Sequence, residues 1–134
     1  MKKEALKRIF EFLEEKEEHN MPFKLKLIFN KPLTEEELNV KGNLNLEESK
    51  ITSLPKGLKV GGTLNLFKLK IKSLPEGLVV GGWLDIRYTK ITSLPKGLKV
   101  GATLFIEKTA LLEYTNNELR EMIKPGFIKG DIIR

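Results

Sequence analysis

The sequence predicts a repeat solenoid: one chain wound into a β-solenoid of about four stacked turns, with a helix–strand unit before them and a short helix after. Three observations carry that reading. Residues 50–61, KITSLPKGLKVG, recur letter for letter at 90–101. Residues 70–81, KIKSLPEGLVVG, differ from them at three positions, so one 20-residue period relates all three segments. Apolar residues fall in the same columns of every unit: Leu44/Leu64/Leu84/Leu104, Leu46/Leu66/Ile86/Ile106, Ile51/Ile71/Ile91/Leu111, Leu54/Leu74/Leu94, Leu58/Leu78/Leu98 and Val60/Val80/Val100. One such turn cannot bury its apolar face alone, but stacked turns can share it.

Residues 2–18 place Leu6, Ile9, Phe10 and Leu13 at helical spacing among charged neighbours, which predicts an amphipathic helix. His19 follows as a solvated or C-capping residue, and Pro22 closes the segment. Phe23, Leu25 and Leu27 alternate with Lys24 and Lys26, which predicts a strand leading into the repeats. Thr34 and Glu37 have capping-box spacing and predict one helical turn. Leu38-Asn39-Val40-Lys41-Gly42 is a degenerate half-unit in phase with the repeats.

Within each full unit the Leu-x-Leu pair has period two and predicts a short strand with both side chains inward. Pro55, Pro75 and Pro95 then fix an extended or turn conformation, and Gly57, Gly77 and Gly97 allow the turn itself. The GLKVGG half of the unit predicts a second short strand ending at a corner, where Gly61-Gly62 and Gly81-Gly82 stand. A partial fourth unit, ATLFIEKTALLE, runs from 102 to 113. Thr115 and Glu118 repeat the capping-box spacing ahead of Leu119, Met122 and Ile123, and Pro125-Gly126 stops that helix before an apolar tail of Phe127-Ile128 and Ile132-Ile133. The expected organisation is an N-terminal capping helix and strand over 1–37, repeats over 38–112, and a C-terminal cap helix and tail over 113–134.

The pattern Leu-x-Leu-x4-Ile-x2-Leu-Pro-x-Gly-Leu-x-Val-Gly-Gly, with its Ile-x-x-Leu-Pro core at 51–55, 71–75 and 91–95, resembles the short leucine-rich repeats of bacterial and phage proteins. The resemblance covers residues 38–112. The asparagine ladder of longer repeats is missing, since its column holds Ser49, Leu69, Thr89 and Thr109. Such a resemblance implies recognition of a partner protein through the strand face, in a setting such as a bacterial or phage effector or an inhibitor of host defence.

Composition narrows the chemistry. The 134 residues, 40% hydrophobic, suit one domain. With no cysteine and a single histidine, thiolate metal sites, disulfides, cysteine nucleophiles and multi-histidine centres are out of reach. Asp85 with Glu47 and Glu107 is the best candidate acid/base set, and nothing in its surroundings raises a carboxylate pKa, so no enzyme, cofactor or metal is expected. No apolar run approaches the ~20 residues of a membrane span, and the N-terminal stretch lacks a signal-peptide core. A cytoplasmic location follows, in the host cytoplasm if the chain is phage-encoded.

Two surfaces compete as the functional one. With the inward columns assigned, the strand face carries Trp83, Phe105, Phe67 and Arg87 around Asp85, with Tyr88 at the edge. Aromatics and arginine are the residues that most often anchor protein interfaces. The repeat does not demand Trp83, because its column otherwise holds Asn43, Thr63 and Thr103. These rings are read as a partner-binding patch; the alternatives are packing beneath a terminal helix or tail, or pairing with a second copy. The rival surface is basic. Residues 41–101 hold 11 basic and 4 acidic side chains, and Lys50, Lys70 and Lys90 form a ladder fit for nucleic acid or an acidic partner. A purely structural or oligomerising repeat module is the third reading.

Overall fold

The computed structural model describes residues 22–134. The amphipathic helix expected over 2–18, and His19, lie outside the described residues. The chain divides into two units, Met1–Pro32 and Leu33–Arg134.

In the first unit the expected strand at Phe23–Leu27 is instead a helix, α1 (Phe23–Ile28), entered from Pro22. Lys26 N–H donates to the Pro22 carbonyl at 3.1 Å and Phe29 N–H to Leu25 at 3.0 Å. The reason is an ambiguity of pattern. FKLKLI alternates, but its Phe23 and Leu27 also stand at i, i+4, which a helix places on one face. Leu27 is buried on that helix, and so is Lys26.

The second unit is a β-solenoid. A one-turn helix, α2 (Glu35–Leu38), carries a complete capping box between Thr34 and Glu37. It leads into ten two-residue strands, taken alternately into two parallel five-stranded sheets. The first sheet orders β1 (Asn39–Val40), β3 (Lys59–Val60), β5 (Val79–Val80), β7 (Lys99–Val100) and β9 (Phe127–Ile128). The second orders β2 (Leu44–Asn45), β4 (Leu64–Asn65), β6 (Leu84–Asp85), β8 (Leu104–Phe105) and β10 (Ile132–Ile133). Register advances by the sequence period, Val40 pairing with Val60 and Val60 with Val80. The last step is longer. Val100 pairs with Ile128, and the extra residues hold a 3-10 turn (Ala110–Glu113) and α3 (Asn116–Met122). The tail at 127–133 therefore forms the last rung of both sheets, with Ile128 and Ile132 buried under the columns of Val100 and Leu104.

Every apolar column of the repeat points inward, and Leu69, Leu119 and Ile123 join the core at 1% exposure or less. Each turn closes by one local device: the Leu78 N–H donates to the Pro75 carbonyl across Gly77, whose φ of +73° suits glycine. The corner glycines have a different use. A Cβ on Gly81 would strike the carbonyl oxygen of Gly61 in the turn below, so a bare corner is needed where these repeats stack directly on one another. In place of an asparagine ladder, the Thr89 and Thr109 hydroxyls donate to the carbonyls of Ile86 (2.7 Å) and Ile106 (2.6 Å), while Leu69 fills the same position with hydrocarbon.

Candidate functional site

The second sheet positions the aromatic residues. Its ladder runs as N–H donation from one turn to the next, Leu64 to Trp83, Leu66 to Asp85 and Lys68 to Arg87, so side chains in one column sit one strand spacing apart, ~4.8 Å. Leu84 and Ile86 turn inward, which leaves positions 83, 85 and 87 facing out from the same strand.

Arg87 is the centre of the arrangement. Its Nε donates to Asp85 Oδ1 at 2.9 Å and its Nη2 to Oδ2 at 2.7 Å, a bidentate pair. The same Asp85 Oδ1 accepts the Arg87 main-chain N–H at 3.1 Å. Hydrogen bonding to Asp85, opposed in part by burial, pushes the Arg87 guanidinium still further above its usual range. Rings from both neighbouring turns close over it, with its Cζ 5.0 Å from the Phe67 centroid and 5.5 Å from that of Phe105. Outward from this core, Trp83 meets Phe105 edge-on at 5.7 Å and Tyr88 meets Phe67 edge-on at 5.3 Å. The result is one continuous surface, Trp83–Phe105–Arg87–Phe67–Tyr88, spanning three turns. Trp83 is 53% exposed and Tyr88 46%, whereas Asp85 is 8% exposed and serves as the anchor beneath.

The structure thus brings together all six strand-face residues singled out from sequence. It assigns Asp85 a narrower task than a surface contact. Asn45, Asn65 and Asp85 form one column in which a side-chain oxygen accepts the N–H two residues on, at 3.0, 3.0 and 3.1 Å. That column is a turn device, and Asp85, read from the sequence as part of the partner-binding patch, belongs to it. One residue of the patch was missed. Lys68 Nζ stands 5.3 Å from the Phe67 centroid and 6.0 Å from that of Tyr88, while reaching Glu48 at 3.6 Å. Its signal in the sequence was its position one period before Tyr88.

Comparison with known protein families, characterised proteins and solved structures finds no match to this chain.

Lys50, Lys70 and Lys90 are exposed and follow Tyr88 and Lys68 around the turn, so the ladder borders the aromatic surface along one edge. Charge is partitioned between the two halves of the coil. The segments 49–60, 69–80 and 89–100 hold eight lysines against Glu76 alone. The strand-face segments 41–48, 61–68, 81–88 and 101–108 hold four basic and four acidic residues. Among the described residues no group of three or more His, Asp or Glu side chains converges as a metal site, and no helix is long and apolar enough to cross a membrane.

Proposed function

We propose that this chain is a protein-recognition module that binds a partner protein through the strand face of its solenoid. One observation carries the reading: a continuous aromatic surface is assembled around a doubly anchored arginine, at positions the repeat leaves free. The backbone of each ring residue is hydrogen-bonded to a neighbouring turn, so little ordering entropy is lost on contact. Rigid, half-exposed Trp and Tyr beside an Arg is the composition of an interface hot spot. The charge-balanced surroundings suit a protein surface better than a polyanion. The module is a leucine-rich-repeat-type solenoid of about four turns, with α3 as its C-terminal cap, acting in the cytoplasm without catalysis. An effector or inhibitor encoded by a bacterium or phage is the setting this reading favours.

The test compares proteins captured from host lysate by the chain and by its W83A/Y88A variant. Capture is expected to be lost in the variant while the melting temperature holds. An unchanged capture profile, or collapse of the variant's fold, would sink the assignment.

The partition of charge favours a second reading, in which the lysine half docks an acidic partner or nucleic acid. K50E/K70E/K90E should then abolish a salt-sensitive shift of a single-stranded oligonucleotide; no shift with the unmutated chain at low salt ends the nucleic-acid version.

A further inference from the structure

A parallel solenoid has a problem at its last rung: the backbone groups that would pair with the next turn have none to meet. In this chain β9 and β10 are the outermost strands at that end. Two columns of carbonyls in the first sheet show what the missing turn would supply. Val40, Val60, Val80 and Val100 each accept an N–H from the next turn, donated by Gly61, Gly81, Gly101 and Lys129 at 2.7 to 2.9 Å. Gly42, Gly62, Gly82 and Ala102 likewise accept from Gly62, Gly82, Ala102 and Gly130 at 2.8 to 3.2 Å. In register, the next carbonyls of these two columns are those of Ile128 and Gly130. Both are occupied, by one side chain. Arg120 on α3 donates from Nη1 to the Ile128 carbonyl and from Nη2 to the Gly130 carbonyl at 2.9 Å.

We propose that Arg120 is an edge plug: its guanidinium stands in for the two N–H groups of a further turn and so prevents the C-terminal end of the solenoid from pairing with a second copy of this chain. The planar fork of a guanidinium presents parallel donors, which is what two carbonyls facing the same way along an edge require. The residue sits on the one insertion that breaks the 20-residue period, between Val100 and Ile128, so the interruption of the repeat is what delivers the plug. A second copy is the fitting occupant because its own turns already carry the register this edge presents. Phe127 and Ile133, 40% and 39% exposed on the outermost strands, add apolar area to the same end. Among the described residues the second sheet has no equivalent plug. β10 ends its sheet, and its Ile132 takes the register of Leu104, whose N–H donates onward to Asp131. Arg120 therefore closes two of the three carbonyl columns at the edge of the first sheet, and its loss opens those two. The third column is that of Leu58, Leu78 and Leu98, which accept from Val79, Lys99 and Phe127 and whose next member is Gly126.

The experiment is light scattering across a concentration series on the full chain and on R120M, which keeps length and helix propensity but has no donor. The unmutated chain is expected to stay at its 15.3 kDa monomer mass, and R120M to rise with concentration to at least twice that value. Adding I133K to R120M places a charge on the outermost strand and should return the mass to that of the monomer. R120M remaining monomeric with intact circular dichroism overturns the proposal, as does equal self-association of the unmutated chain. A misfolded R120M would aggregate with or without I133K, so failure of the rescue counts against edge pairing as well. None of these outcomes depends on the strand-face partner.

Discussion

Tyr88 has a φ of +61°, and its counterparts in the other turns are close to it: Glu48 (+54°), Lys68 (+62°) and Lys108 (+55°). Every turn needs a left-handed residue where the strand ends, and none of the four is glycine. For a residue with a Cβ this conformation costs roughly 1–2 kcal/mol, most awkwardly for a bulky ring. Tyr88 stands there half exposed, against the local preference of a bulky ring. Asparagine tolerates the conformation better, while losing Tyr88 forfeits an edge contact with Phe67 of about 0.5–1.5 kcal/mol. The two effects nearly cancel. Y88N is therefore expected to leave unfolding free energy within about 1 kcal/mol of the parent in urea titration, while weakening partner capture. A loss well beyond that would show the ring to be core.

At the scale of elements the corner glycines and the capping boxes decide where turns can stack and stop. In G81A the new methyl group would collide with the Gly61 carbonyl, a backbone group between the ladder-bonded carbonyls of Val60 and Gly62, so the two turns must separate. Overpacking of this kind costs about 1–3 kcal/mol, and the upper end is expected here because no flexible side chain can yield. G42A is the control. A Cβ there meets nothing within 4 Å, and its urea midpoint should match the parent's. These columns were legible in the sequence because the period is strict: each inward position repeats its chemistry, so strands, turns and core follow from one unit. Where the period lapses, legibility lapses with it. The final rung reads as a loose tail because Gly126 takes the register of Leu98 and Lys129 that of Gly101, twenty-eight residues on. α1 was misread because six residues of FKLKLI satisfy two periods at once. Both capping boxes were legible, since Thr-x-x-Glu specifies its own hydrogen bonds: Thr115 accepts from Glu118 N–H at 3.1 Å and returns a 2.9 Å bond to its carboxylate. The patch was legible as a neighbourhood only. That Arg87 would be clamped by Asp85 and covered by two rings needed the register, which the single-sequence columns supplied, and the rotamers, which they did not.

For the whole molecule, a solenoid in which each turn touches only its neighbours should tolerate the gain or loss of whole turns. Deleting residues 70–89 joins Leu69 to Lys90 and keeps every column in phase, because Lys90-Ile91 replaces Lys70-Ile71 letter for letter. It also removes Trp83, Asp85, Arg87 and Tyr88 together, while Phe67, Phe105, both ends of the solenoid and the Arg120 plug remain. The expected product folds, melts cooperatively at a lower temperature, and captures no partner. Inserting a second copy of residues 50–69 between Leu69 and Lys70 is the converse. It again places a phenylalanine one turn before Arg87, so the aromatic clamp is preserved, and adds one turn's worth of burial and one more interface between turns. Its melting temperature should exceed the parent's, with capture intact. The pair separates stability from recognition more cleanly than point variants do, because the two changes move stability in opposite directions and differ in whether the patch survives. If the insertion raises stability but abolishes capture, recognition reads the spacing of the whole stack, and the local patch around Arg87 is insufficient for it.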